Sequence, residues 1–148
     1  MNNDFSKALN FLQRGRLVEA KNLVEEVLKK EKNNSQVLNL YAFVLYYQNN
    51  FNAALEQWQK AIKINPHYIE AYNGCGNAYK NLKKFEEAVK SFKKAIQIEP
   101  RYFEAQINLG TVLIKLERFE DAIKNFDKVI DVENVAAQAF QGKAYSLM

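Results

Sequence analysis

Apolar and small side chains recur along this chain at the spacing of an α-helix. Tyr72, Cys75 and Tyr79 lie three and four residues apart, so they fall on one side of a helix that turns about 100° per residue. Phe85 and Phe92 begin a second such pattern after a short polar break. The same periodicity predicts helices over residues 4–14, 17–30, 35–48, 51–64, 69–82, 85–98, 103–116, 119–132 and 137–147.

A period of 34 residues organises these helices. Residues 35–68 align with residues 69–102 without a gap, and residues 103–136 continue in the same register. Residues 1–34 fit as an earlier copy, while residues 137–148 match the first half of a fifth unit. A fixed period of this length is typical of an array of helical repeats. We therefore predict one array over residues 1–148, with four repeats and a terminal half-repeat helix.

Small and large side chains occupy fixed positions of the repeat. Counted from the first residue of each repeat, positions 8 and 20 are small, and positions 17 and 24 are large and apolar. The small residues are Ala8, Ala42, Gly76, Gly110, Ala144, Ala20, Ala54, Ala88 and Ala122, and the large ones are Leu17, Phe51, Phe85, Phe119, Val24, Trp58, Phe92 and Phe126. Small residues let helix backbones approach each other, so each repeat should fold as two packed helices. Pro66 and Pro100 follow the second helix of their repeats, as expected at a helix end.

This pattern resembles the tetratricopeptide repeat, whose consensus reads W-x-x-L-G-x-x-Y, then A-x-x-x-F, then A and P. The resemblance covers the whole chain. It implies an all-α fold, a right-handed superhelical array of antiparallel helix pairs whose concave wall is formed by the first helix of each repeat. It also implies a non-catalytic scaffold that binds an extended or helical segment of a partner protein in that groove.

Composition and charge narrow the class of protein further. The 148 residues are 48% hydrophobic and 26% charged, which is typical of an ordinary globular chain. A single cysteine, the absence of a signal-like start and the absence of a long apolar run make us expect a cytoplasmic protein without a membrane span. The net charge of +4 forms no stripe, because acids such as Glu86 alternate with bases such as Lys90, so a nucleic-acid partner is disfavoured.

The segment AYNGCGNAYK, residues 71–80, raises three chemical hypotheses: a phosphate cradle, a metal ligand and a reactive thiol. Its glycines lie inside a predicted helix rather than in a strand-to-helix turn, which excludes the phosphate cradle. Cys75 lacks a second cysteine or a nearby histidine and points inward, which predicts an inert buried thiol. His67 is expected to fill a turn. We predict no catalytic, cofactor-binding or metal-binding residue.

The groove-lining residues follow from the same angular analysis. Positions 2, 5, 9, 12 and 13 point away from the packed face of each first helix. We predict that the groove contacts come from Asn39, Phe43, Tyr46, Tyr47, Asn73, Asn77, Lys80, Ile107, Asn108 and Thr111. Asparagine is a poor helix-interior residue, so its recurrence indicates hydrogen bonds to a peptide backbone, although a genome-wide bias toward Asn and Lys would produce the same recurrence. Whether Phe5, Leu9 and Leu12 belong to the groove or to the core stays open.

Some members of the family grip a C-terminal carboxylate with two asparagines and several cations. The corresponding residues here are Asn73, Asn77, Asn108, Gln138 and Gly142. Asn77 and Asn108 match the two asparagines. The positions of the cations carry Asn73, Gln138 and Gly142, so every cation is missing. This departure favours a neutral segment with apolar side chains as the ligand.

Three further possibilities remain at this point. The repeats could be the non-catalytic arm of a larger enzyme, for example a glycosyltransferase or methyltransferase. An RNA-binding helical repeat is a weaker alternative, and its affinity would fall steeply with salt. The last helix should expose Ala139, Gly142 or Tyr145, so we also expect self-association through this helix.

Overall fold

The computed structural model describes residues 3–130 and 136–148, apart from the side chains of residues 136, 137, 138 and 140. Within these residues the chain forms nine α-helices and no strand, which confirms the predicted all-α class. The helices are α1 (Asn3–Gln13), α2 (Leu17–Lys30), α3 (Ser35–Tyr47), α4 (Phe51–Ile64), α5 (Ile69–Asn81), α6 (Phe85–Ile98), α7 (Phe103–Lys115), α8 (Phe119–Asp127) and α9 (Ala136–Leu147).

The predicted helix bounds agree with these to within one residue, except at the end of α8. We predicted a helix to residue 132, whereas α8 ends at Asp127 and a turn follows over residues 128–130. The Val129 N–H donates to the Phe126 carbonyl oxygen at 3.1 Å, an i to i−3 bond that tightens the chain after the helix. Residues 131 and 132 of the prediction lie outside the described residues.

The contacts cluster into two compact units, Met1–Ala78 and Tyr79–Met148. In the first unit α1 packs against α2, α2 against α3 and α3 against α4. In the second unit α6 packs against α7, α7 against α8, and α9 against both α8 and α7. One continuous array across the two units stays a prediction.

The same turn closes the first helix of every complete repeat. Position 15 has a positive φ in each: 72° at Gly15, 62° at Asn49, 59° at Lys83 and 59° at Glu117. At Glu117 the N–H donates to the Ile114 carbonyl oxygen, and the next N–H donates to the Leu113 carbonyl oxygen, at 3.0 and 2.9 Å. The other three turns make the same two hydrogen bonds. This is a Schellman motif, which turns the chain into the second helix.

The small repeat positions are buried in the four complete repeats, as the sequence predicts, whereas Ala144 of the terminal helix is exposed. All four alanines at position 20 are fully buried, and so are Trp58 and Phe92 at position 24. Trp58 lies flat against Gly74, where a Cβ atom would overlap the indole ring. Phe126 contacts both Gly110 and Gly142 in the same way. Position 6 therefore receives the large position-24 side chain of the preceding repeat at two junctions, a contact that the sequence analysis did not identify.

One surface charge pairs differently from the sequence expectation. We expected Glu86 to pair with Lys90 along α6, but its carboxylate lies 3.7 Å from the Arg118 guanidinium at the start of α8. Arg118 also contacts Asp121 at 3.3 Å. Its charge therefore links the second helices of neighbouring repeats, and solvent exposure makes this contribution to stability small.

Candidate functional site

An open furrow runs between α1 and α3 in the first unit, and we call it the N-terminal furrow. Its apolar side chains include Phe5, Leu9, Leu12, Phe43 and Tyr47. Leu9 is 37% exposed and Tyr47 is 56% exposed, so solvent reaches the furrow. Two cavities of about 310 and 550 Å³ lie within it. Side chains that are large, apolar and accessible are the usual lining of a protein-binding groove.

Of the three residues that the sequence left between core and groove, Phe5 and Leu12 contact the core and also line a cavity, and Leu9 lines the same cavity. Phe5 and Leu12 pack against the buried cluster that contains Ala8 and Val24. All three side chains also line the first cavity of the N-terminal furrow. They occupy positions 5, 9 and 12, the same positions that predicted groove residues in the later repeats, so the repeat register was the signal that could have assigned them.

The predicted groove aromatics of α3 rest on the buried Trp58. Phe43 meets the indole edge-on with ring centroids 5.2 Å apart, and Tyr46 lies 5.9 Å from the same ring. Tyr47 stacks on Phe43 at 6.4 Å. Phe43 and Tyr46 are half-buried, and Tyr47 is exposed. The indole therefore restricts the motion of two of these rings, Phe43 and Tyr46. A side chain that is already ordered loses less conformational entropy when a partner contacts it.

Asn39 has a structural partner that the sequence did not reveal. Its side-chain oxygen accepts a hydrogen bond from the Trp58 indole N–H at 2.8 Å. The pKa of Tyr68 is raised, first by burial and then by the nearby Glu70. A hydrogen bond with Asn39 opposes this shift without reversing it. Asn39 thus positions Trp58 beneath the aromatic side chains, and its predicted contact with a partner stays a prediction.

The other predicted asparagines differ in accessibility. Asn73 is only 5% exposed, whereas Asn77 and Asn108 are half-buried. Each of the three has a partner within the chain. Asn73 can therefore offer little surface to a ligand, and the direct contacts predicted for Asn77 and Asn108 stay predictions.

A second open surface lies in the second unit between α7, α8 and α9, and we call it the C-terminal cavity. Its volume is about 660 Å³. The lining includes Ile107, Thr111, Ile114, Lys115, Glu117, Phe119, Phe126 and Tyr145. Two predicted groove residues, Ile107 and Thr111, thus lie in one open site. The Thr111 hydroxyl donates to the Ile107 carbonyl oxygen at 3.0 Å, so its hydrogen-bond donor is already used within α7.

Lys80, the remaining predicted groove residue, lies in the last turn of α5 and is half-buried. Loss of hydration on burial lowers the pKa of its ammonium group. Its groove role stays a prediction.

The segment at residues 71–80 lies entirely within α5, so its glycines are helical, as the sequence predicts. Cys75 is buried, and loss of hydration raises the pKa of its thiol to about 12, so the nucleophilic thiolate is scarce at neutral pH. His67 is exposed in a turn, where its backbone N–H donates to the Asn65 side chain at 3.1 Å. No group of three or more His, Cys, Asp or Glu side chains in residues 3–130 and 136–148 could hold a metal ion. None of the helices described there is long and apolar enough for a membrane span.

Comparison with protein families gives three matches along the chain. A family described as TPR repeat matches residues 43–83, and models described as Tetratricopeptide repeat match residues 69–102 and 103–135. Together they cover residues 43–135, more than half of the chain. The chain therefore belongs to the tetratricopeptide-repeat family, which confirms the resemblance drawn from the sequence.

Similar proteins agree with this assignment. The crystal structure of MamA superposes with a TM-score of 0.86 at 22% identity, over 99% of this chain and 83% of that one. The first TPR of Spaghetti (RPAP3), bound to the HSP90 peptide SRMEEVD, gives 0.74 at 25% identity, over 76% of this chain and 90% of that one. The DnaJ homolog subfamily C member 7 homolog of Dictyostelium discoideum is 36% identical over 53 residues, which are 36% of this chain and 10% of that relative.

Proposed function

We propose that this chain is a non-catalytic scaffold that binds a segment of a partner protein on the exposed face of its first helices. One observation carries the proposal. Large apolar side chains at positions 5, 9 and 12 line open cavities in both units, around Leu9 in the first and around Ile107 and Ile114 in the second. Position 20 of the second helices is instead fully buried. The accessible apolar surface of each unit thus includes the face where a groove would lie.

The partner proposed here differs from the acidic peptide bound to RPAP3. The positions that hold cations in a carboxylate clamp carry uncharged residues, and one of them, Gly142, packs against Phe126. Without cations to pair with its carboxylates, the peptide SRMEEVD should bind this chain weakly. A partner whose contacting side chains are apolar suits the lining of both units better.

Peptide selection followed by measured affinities tests the proposal. A phage-displayed library of random dodecapeptides would be selected on the purified chain, and enriched peptides would be titrated by fluorescence anisotropy. We expect Tyr47→Ser in the first unit or Ile114→Ser in the second to weaken binding by about tenfold, through the apolar area lost. Circular dichroism would show that both variants remain folded.

The control is Lys90→Glu, which changes an exposed charge on α6. It should leave the affinity unchanged. If no peptide is enriched, or if Lys90→Glu abolishes binding while both serine variants bind like the parent chain, the proposal is wrong.

Self-association through α9 is a second proposal, carried by a different observation. Leu147 is 67% exposed and Ala144 is exposed, whereas the equivalent Leu45 is 3% exposed and Ala42 is fully buried. The sequence expectation needs a correction, because Ala139 is buried and Gly142 packs against Phe126; of the three residues named, only Tyr145 is largely exposed. In the first, second and fourth repeats the second helix packs against the first, so a second copy of α9 could cover the corresponding face here.

Sedimentation velocity over a concentration series tests this second proposal. The parent chain should form a dimer that Leu147→Lys disrupts. A strict monomer at the highest concentration, or a dimer that persists in the Leu147→Lys variant, would exclude α9 as the contact.

Two parts of the proposal rest on the sequence. The lone cysteine motivates a cytoplasmic location, where thiols stay reduced. The family consists generally of non-catalytic scaffolds, so we assign the chain no reaction of its own; it could still serve as the binding arm of a larger enzyme.

A further inference from the structure

We propose that the N-terminal furrow binds an extended partner segment that inserts two uncharged apolar side chains, two residues apart. This inference rests on the proposed binding function and names the ligand for one of its two surfaces.

The two cavities of the furrow follow one another along α1 and α3. The first is lined by Phe5 and Leu9, and the second by Gln13 and Tyr47. Leu12 and Phe43 line both cavities and therefore form the ridge between them. The furrow thus has two subsites that share one wall.

The spacing of these subsites fits an extended chain. Their lining residues are displaced by roughly four residues along α1 and five to six along α3, which is about 6 to 8 Å at 1.5 Å per residue. In an extended segment the side chains of residues i and i+2 point to the same side and lie about 7 Å apart. The side chain of residue i+1 points away, toward solvent. A segment with apolar residues at i and i+2 can therefore place one side chain in each subsite, with its backbone crossing the ridge.

The chemistry of the lining excludes charge. The first cavity is lined by Phe5, Leu9, Leu12, Gln36, Asn39, Leu40, Phe43 and Tyr68, and the second by Leu12, Gln13, Gly15, Leu17, Phe43 and Tyr47. None of these side chains is ionised at neutral pH. A carboxylate or ammonium group buried there would lose its hydration without gaining a partner. The C-terminal cavity differs, because Lys115 and Glu117 lie at its wall.

The size and edges of the furrow suit the same ligand. Each cavity far exceeds the roughly 30 Å³ that one water molecule occupies in the liquid, so each has room for an aliphatic side chain. Gln13 and Gln36 are exposed at the edges of the furrow. Amide side chains both donate and accept hydrogen bonds, which allows them to pair with the backbone of an extended segment.

Two synthetic peptide series test the inference by fluorescence anisotropy. One series is a fluorescein-labelled neutral dodecapeptide of Ser and Gly with two Leu residues spaced at i+1, i+2, i+3 or i+4. The second keeps the i+2 spacing and replaces one of the two Leu residues by Asp, by Lys or, as the neutral control, by Ser. We expect the i+2 peptide with two Leu residues to bind best, and the charged versions to bind about tenfold more weakly than the Ser version.

Variants of the chain assign the binding to the furrow. Leu9→Glu and Tyr47→Glu place a charge in one subsite each, at side chains that are already accessible, and each should weaken the i+2 peptide by about tenfold or more. Val18→Glu is the matched control, because Val18 is an exposed apolar residue, 64% accessible, on the second helix of the same repeat. It should leave the affinity unchanged.

The outcomes separate this inference from the proposed function. Tightest binding at i+4 would indicate a helical ligand and overturn the extended segment. Equal binding of the Asp, Lys and Ser versions, or binding lost on Tyr145→Glu in the C-terminal cavity but not on Leu9→Glu, would overturn the furrow assignment while leaving a peptide-binding function intact. If neither these peptides nor the selected dodecapeptides bind, both proposals fail.

Discussion

Replacing Lys83 or Glu117 by glycine should stabilise the protein, because both residues hold a backbone conformation that favours glycine. Their φ angles are 59°, in the left-handed region, and the first repeat has Gly15 at the equivalent position. The left-handed conformation costs an ordinary residue about 1–2 kcal/mol. Glycine avoids this cost but loses more freedom on folding, by about 0.5–1 kcal/mol. The net gain should be about 0.5–1 kcal/mol for each substitution.

Substitution by glycine should preserve the hydrogen bonds of the turn. At Lys83 the N–H donates to the Lys80 carbonyl oxygen at 3.0 Å, and the Lys84 N–H donates to the Tyr79 carbonyl oxygen at 2.9 Å. Both bonds use backbone atoms only, so glycine keeps them. The Lys83 side chain is exposed, and its loss removes no buried contact.

Urea unfolding followed by circular dichroism measures the effect, with the free energy of unfolding extrapolated to water. Lys83→Ala and Glu117→Ala are the matched controls, since they remove the same charges but keep a Cβ atom and should bring no comparable gain. Gly15→Ala should lose about 1 kcal/mol, because alanine resists a φ of 72°. If the glycine variants are no more stable than the alanine variants, the turn does not hold these residues in the left-handed conformation.

Two further substitutions and one alkylation reaction test the core. Asn39→Ala should lower the free energy of unfolding by about 1–3 kcal/mol in a urea titration, since it leaves the buried indole N–H of Trp58 without its acceptor; unchanged stability would contradict the hydrogen bond. Gly74→Ala should cost about 1–3 kcal/mol or more by the same measurement, because the new Cβ atom overlaps Trp58, and a neutral result would refute this contact. Cys75, with a pKa raised to about 12, should resist iodoacetamide in the folded protein at about pH 9 and react on unfolding, and rapid alkylation of the native chain would show that the thiol is accessible.

The repeat period and the helix positions could be predicted from the sequence, because both depend on residues close to one another along the chain. A helix bonds each residue to one four positions away, and the apolar side chains mark one face of it. The small residues at positions 8 and 20 likewise predicted the helix packing, and Ala20 and Ala54 are fully buried as expected. The early end of α8 was missed because apolar periodicity continues through Val129, although the helix does not.

The candidate site was predicted only in part. Angular position placed Phe43, Tyr46 and Tyr47 outside the core, and in the structure they remain at least partly accessible. The same analysis could not decide between core and groove for Leu12, because a side chain between α1 and α3 contacts both. Their binding roles stay predictions until a ligand is measured.

The sequence by itself determined the class of fold, the register of the repeats and the side of each helix that faces a neighbour. Only the tertiary structure decided which side chains meet across that register. The sequence predicts Asn39 as a ligand-binding residue and does not reveal that Trp58, nineteen positions away, donates to it. It places Gly74 in a helix but does not show that the same indole covers it. Such contacts depend on the geometry of two packed helices, which periodicity along one helix does not contain.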